Sequence, residues 1–180
     1  CYLFSLLPLL FLYGVSSLLY YPLYYVLRYR RKTVRQNLLN SFPEKELPEI
    51  IQIEKKFYAF FCDYAVETLK LCSISEKTMR KRMTFSGMDK LQEAMGKDKS
   101  CVLYLGHYCN WEWISSIPLY MDKDIKCGQV YHPLRNKISD KLFLKIRSRF
   151  GAINIPMQTT LKKILTYQKA NQQWIVGFIS

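Results

Sequence analysis

The sequence predicts an α/β fold, a mainly parallel sheet flanked by helices, preceded by an N-terminal membrane-anchor helix. Three observations carry that prediction: an uncharged apolar run over residues 2–27, a change of hydrophobic period after Ser100, and an alternation of short apolar runs with amphipathic ones from there onward. At 180 residues the chain is long enough for one domain of ordinary size. Cys1 in place of an initiating Met, and an apolar run at 174–180 with no turn after it, lead us to expect that the chain continues beyond both ends.

Residues 2–27 carry no charge, and as a helix they would extend about 39 Å at roughly 1.5 Å per residue, enough to cross a bilayer core. Pro8, Gly14 and Pro22 argue against a straight helix, and Tyr20, Tyr21, Tyr24 and Tyr25 form an interfacial aromatic belt near its end. Arg28, Arg30, Arg31, Lys32 and Arg35 follow at once, which by the positive-inside rule places the remainder of the chain on the cytoplasmic side. A cleaved leader would carry its basic residues before the apolar core. We therefore expect an anchor over residues 1–27 and a second domain over 28–180; the competing reading of the apolar run is a buried core helix.

Ser41-Phe42-Pro43-Glu44 has the spacing of a capping box, and Ile50, Ile53, Phe57, Phe60, Phe61, Tyr64 and Leu71 recur at threes and fours, which predicts a long amphipathic helix from about Leu47 to Cys72. Glu67 is expected on its solvated face. Beyond Ser100, Cys101 to Leu105 suits a strand buried on both faces. A helix over 110–120, a strand over 125–131, a helix over 139–149 ended by Gly151, a strand over 152–155, a helix over 159–170 and a strand over 174–179 complete the pattern.

The net charge of +13, from 27 Lys and Arg against 14 Asp and Glu, implies an anionic partner: nucleic acid, a membrane surface or a phosphorylated substrate. A hydrophobic content of 49% with 14 Tyr and 10 Phe, heavily loaded at the N-terminus, favours a membrane and argues against nucleic acid. The six cysteines show no CxxC pair and no regular spacing, so neither a disulfide framework nor a zinc module is signalled; reduced thiols in a cytosol-facing domain fit best. Neither a metal nor a nucleotide cofactor is implied.

Two histidines limit where imidazole chemistry can occur. His107 stands in Gly106-His107-Tyr108-Cys109-Asn110-Trp111-Glu112, where the expected buried strand ends and a helix begins, the edge at which α/β folds place ligands. On one continuous helix His107 and Glu112 would point about 140° apart; with His107 in the loop and Glu112 in the first turn they can meet. That arrangement suits a His–Glu dyad in which the carboxylate orients the imidazole and the free ring nitrogen takes a proton from an attacking hydroxyl. A satisfied structural histidine beside a glutamate at a helix start explains the same spacing equally well. Arg147 and Arg149 near a helix end can clamp a phosphate or merely complement the helix dipole, and since i and i+2 do not share a face, one of them, Arg147 by preference, is expected to point into the site. Cys109 as a thiolate nucleophile, or Cys101, His107 and Cys109 as metal ligands, are weaker alternatives to small apolar filling. Trp111 and Trp113 fit core or chain-lining positions.

The motif GHYCNWE resembles the H-x-x-x-x-[DE] signature of glycerolipid acyltransferases and, more closely, the H-x-x-N-W-E form of the lipid A lauroyl/myristoyl acyltransferase family. Arg35-Gln-Asn37-Leu38-Leu-Asn-Ser-Phe42-Pro43-Glu44, Tyr131-His132-Pro133-Leu134-Arg135-Asn136 and Ile146-Arg147-Ser-Arg149-Phe150-Gly151 resemble further blocks of that family, in order. The resemblance implies a glycerolipid acyltransferase-like fold and transfer of a fatty acyl chain from a thioester, on acyl carrier protein or coenzyme A, to a hydroxyl of a phosphorylated lipid A precursor. It implies a bacterial inner-membrane location with the catalytic domain on the cytoplasmic side, in contact with anionic lipids. His107 would be the general base with Glu112 its partner; Arg147, Arg149, Asn110, His132 and Arg135 would bind substrate, with backbone amides near Asn110 facing the oxyanion. His132 stands where the family usually has Arg, which weakens phosphate attraction there, and the family's D-Q motif would fall just after Ser180. A phospholipid, lysophospholipid or other glycolipid acceptor, and a non-catalytic basic membrane-binding module, are the competing functions.

Overall fold

The computed structural model describes residues 2–179. Packing divides the chain into two compact units, Cys1–Lys70 and Leu71–Ser180. The apolar run is thus grouped with the residues up to Lys70 rather than standing alone.

In the first unit, α1 (Tyr2–Ser5) and α2 (Leu9–Tyr21) are followed by a π-helical turn (Pro22–Val26), α3 (Arg31–Ser41) and α4 (Leu47–Lys70). The breaks fall at the prolines. Pro8 precedes α2 with φ −56° and ψ 144°, and Pro22, which has no N–H to donate, opens the π-helical turn. Among the described residues one stretch, Leu9–Val26, is long and apolar enough to cross a membrane.

Several polar groups in and just before this stretch find partners on α4. Lys70 Nζ donates to the carbonyls of Ser5 and Leu7 at 2.7 and 2.8 Å, Tyr13 Oη to Glu67 at 2.7 Å, Ser16 Oγ to Asp63 at 2.5 Å and Tyr24 Oη to Glu54 at 2.9 Å. The partner numbers fall as the apolar run advances, so α2 and α4 are antiparallel. Glu67 is therefore not the solvated residue expected from its helical position; a hydroxyl buried in an apolar run needs an acceptor, and Glu67 supplies one. The capping box is likewise replaced: Ser41 is the last residue of α3, the N–H of Phe42 donates to the Leu38 carbonyl at 2.9 Å, and α4 opens only at Leu47, because the turn through Pro43 separates the two helices.

Glu54, fully buried, divides the basic segment. Arg35 donates to it through Nε and Nη2 at 2.7 and 3.0 Å, and Arg31 lies 3.5 Å away with its guanidinium 5.0 Å from the Tyr24 ring centroid. The hydrogen bonds to Glu54 raise the Arg35 pKa above its ordinary value.

The second unit begins with α5 (Glu76–Arg82) and α6 (Met88–Met95), then alternates: β1 (Cys101–Leu105), a 3-10 helix (Trp111–Tyr120), β2 (Lys126–Tyr131), α7 (Lys137–Arg147), β3 (Ile153–Pro156), α8 (Thr160–Lys169) and β4 (Trp174–Ile179). All pairings are parallel, in the order β1-β4-β2-β3, as the alternating pattern predicts. One core layer joins Met95, Ile117, Met121 and Ile125 to Cys127 and Ile175; another packs Tyr167 of α8 against Ile155, Trp174 and Val176. Burial pushes the Cys127 thiol up to about 11, so it stays a protonated apolar filler.

Two expectations are corrected here. β1 is not buried on both faces: it is an edge strand, and Val102 and Tyr104 on one face are 40% and 81% exposed. The segment after His107 is a 3-10 helix rather than an α-helix. Pro118 lies inside it and removes a donor, and the hydroxyls of Ser115 and Ser116 donate to the carbonyls of Glu112 and Trp113, three residues back. α7 also starts two residues earlier than expected, because the Asn136 side chain accepts from the N–H groups of Ile138 and Ser139, both at 3.0 Å.

Gly128 in β2 leaves room for the layer of side chains on the neighbouring strands β3 and β4. A Cβ there would lie 2.7 Å from Ile155 Cδ1 and 3.2 Å from Val176 Cγ2. Gly128→Val is expected to destabilise the chain by about 1–3 kcal/mol through overpacking, read as a lower denaturation midpoint by tryptophan fluorescence; an unchanged midpoint would show that the layer has room to yield.

Candidate active site

His107 follows β1 by two residues, in the loop that leads to the 3-10 helix, so it sits at the carboxyl edge of the sheet. The residue is exposed, and its ring meets Trp111 edge-on with centroids 5.0 Å apart. The loop is tightly wound: the N–H of Tyr108 donates to the Gly106 carbonyl at 2.8 Å, and Cys109 adopts a left-handed φ of 49°. A non-glycine residue in that region costs on the order of 1–3 kcal/mol, and such strain concentrates at functional loops. Cys109 is exposed, as is Tyr108 at 84%, so this loop presents side chains to solvent rather than packing them inward.

Glu112 is placed differently. It lies in the first turn of the 3-10 helix and is 4% exposed. Its partner comes from the last turn of α7: Arg147 donates through Nε to Oε2 at 2.8 Å and through Nη2 to Oε1 at 2.6 Å, a bidentate pair. The Arg147 guanidinium also lies over the Phe143 ring, 5.2 Å from its centroid. An ionised carboxylate offers about four lone-pair sites, so the fork of one arginine leaves acceptor capacity for an imidazole. Behind this layer a closed apolar slot of about 20 Å³, lined by Ile114, Ser115, Gly128 and Gly177 among others, is room for about one water.

The two arginines take different partners, and since α7 ends at Arg147 the helical i, i+2 spacing does not reach Arg149. Arg149 lies beyond the end of α7 and donates through Nη1 to the carbonyls of Leu71 and Ile74, at 2.8 and 2.5 Å, while Gly151 takes a positive φ of 94° and its N–H donates to Ser148. It ties down the segment before α5. Of the remaining residues singled out from sequence, Asn110 precedes the 3-10 helix and its carbonyl accepts from the Trp113 N–H at 3.2 Å. His132 is exposed, with Nδ1 3.0 Å from the Pro133 carbonyl oxygen, and Arg135 is exposed in the same loop. That loop is held by the Leu134 N–H donating to Asp140 at 2.8 Å, a contact with no sequence signal beyond an acid in a helix's first turn. Among the described residues no three His, Cys, Asp or Glu side chains gather as metal ligands.

The model of the bacterial lipid A biosynthesis acyltransferase family matches residues 2–179. A lipid A biosynthesis acyltransferase of Haemophilus influenzae is 23% identical over 143 residues, which cover 79% of this chain and 44% of that protein. The chain thus spans less than half the length of the curated relative it matches.

Removing one partner of a buried ion pair leaves an uncompensated charge, at a cost of about 3–5 kcal/mol. Arg147→Gln is therefore expected to lower the denaturation free energy by that order, because Glu112 keeps its burial and loses its cation. A stability equal to that of the wild type would show that the carboxylate is solvated or protonated instead.

Proposed function

Because the chain belongs to the bacterial lipid A biosynthesis acyltransferase family, we propose that it carries the catalytic centre of an enzyme that moves a fatty acyl chain from a thioester to a hydroxyl of a lipid A precursor. The observation that supports this reading most directly is the pairing of an exposed imidazole, His107, with a loop whose following helix holds a buried carboxylate clamped by arginine. His107 takes the proton of the acceptor hydroxyl as its oxygen attacks the thioester carbon. The C–O bond forms, the C–S bond breaks, and the proton passes from the imidazolium to the departing thiolate. Glu112 stabilises the cationic imidazole between those steps, and Arg147 is a positioning residue that holds Glu112 in place. The acyl group passes directly to the acceptor, with acyl carrier protein as the donor's carrier.

The exposed His132 and Arg135 at the same edge, in the loop before α7, contact anionic groups of substrate on this reading, whereas Arg149 acts through the fold. Residues 1–27 anchor the protein at the bacterial inner membrane, and the catalytic domain with the His107 loop lies on the cytoplasmic side. The apolar stretch Leu9–Val26 and the basic residues directly after it support that placement.

His107→Ala is expected to lower the rate of acyl transfer in membranes by at least about 10²-fold, the span typical of a general base, while the protein still sediments with the membrane. Transfer measured with labelled acyl carrier protein thioester and a lipid A precursor checks it; a variant as active as the wild type removes His107 as the base.

A further inference from the structure

A groove of about 270 Å³ opens on the first unit where the start of α3 meets the middle of α4. Its wall is aromatic: Tyr29 stacks on Phe61 with centroids 6.4 Å apart, and Phe61 on Phe57 at 6.1 Å. Tyr29 is 50% exposed and Phe57 41%, a large apolar area for residues with no further layer over them among those described. Arg30, Thr33 and Asn37 supply a cation and hydrogen-bonding side chains to the same groove. The Tyr58 hydroxyl donates to the Tyr29 carbonyl and fixes the rim.

The charges around this groove are unevenly compensated. Among the described residues the ion pairs of the basic segment are those of Arg31 and Arg35 with Glu54, so the negative charge of that acid is taken up inside the unit. Arg30 faces a groove with no acid among its lining residues, and Arg28 and Lys32 flank it in sequence. The apolar stretch ends at Val26, which puts Tyr29 and Arg30 within one turn of the membrane boundary on the anchor reading. At about 270 Å³ the groove is on the scale of a headgroup and far smaller than a whole lipid.

We propose that this groove binds the phosphate-bearing headgroup of one anionic membrane phospholipid. Arg30 takes the phosphate, Thr33 and Asn37 meet the headgroup oxygens, and the Tyr29–Phe61–Phe57 wall lies along the first methylenes of the acyl chains, which remain in the bilayer. The bound lipid seats the unit at the membrane surface and is neither donor nor acceptor in the reaction proposed above. The choice of ligand rests on the anchor reading, and the experiment separates the two.

The full chain, purified in a non-ionic detergent, is titrated with phosphatidylglycerol, phosphatidylcholine or inorganic phosphate and examined by native mass spectrometry, with flotation on phosphatidylglycerol vesicles run alongside. One phosphatidylglycerol is expected to be retained per chain, in preference to the other two probes. Arg30→Gln, a surface substitution, is expected to weaken retention about fivefold, the contribution of one basic residue near an anionic headgroup, and Phe57→Ser to weaken it as well, with helix content by circular dichroism unchanged. Equal retention by the wild type and both variants, or retention of phosphatidylcholine or inorganic phosphate as strong as that of phosphatidylglycerol, overturns the groove. A wild type that floats without retaining lipid also overturns it while leaving the anchor standing; a wild type that does not float overturns the anchor.

Discussion

A carboxylate that is 4% exposed needs a cation and hydrogen-bond donors in place of the water it has lost, and Glu112 has both in one guanidinium. The pair joins two segments 35 residues apart: the helix that follows β1 and the last turn of α7. The first segment follows the His107 loop at the carboxyl edge of the sheet, and the second leads into the start of β3, so the clamp ties the helix after that loop to the end of α7. The parallel order β1-β4-β2-β3 brings the segments within reach, and the guanidinium geometry selects the distance.

The first unit uses the same chemistry for another purpose. Glu54, fully buried, accepts two hydrogen bonds from Arg35 and has Arg31 and Tyr24 beside it. There the ion pair binds the basic segment and the end of the apolar stretch to the middle of α4. In both units an arginine on one helix satisfies a glutamate buried on another. The strongly basic composition is thus split between cations that hold the fold and cations left for anionic ligands.

Much of this was legible in the residues. The apolar run, the long amphipathic helix and the alternation after Ser100 follow from periodicity, and β4 falls at the residues predicted for it. What periodicity could not supply was pairing between distant segments. Glu67 has the sequence position of a solvated acid, and only the antiparallel partner α2 brings Tyr13 to it. Glu112 and Arg147 carry no mutual signal in sequence, and neither do Arg149 and the carbonyls of Leu71 and Ile74. The edge position of β1 was hidden for the same reason: an apolar run does not reveal strand order. The 3-10 winding after His107 had a local cue in Pro118, which competed with a convincing α-helical hydrophobic pattern.

If an imidazole held at the sheet's edge acts as a base, the acyl group crosses from thioester to hydroxyl without resting on the protein, and the exposed Cys109 two residues away plays no covalent part. The most direct measurement follows both masses in one quenched reaction: that of a purified lipid A precursor and that of the intact full-length protein, after mixing with acyl carrier protein thioester. Direct transfer predicts an acceptor heavier by one acyl group and a protein of unchanged mass at every time point. An acylated protein that forms and decays during turnover, or an acceptor that gains nothing, would contradict it.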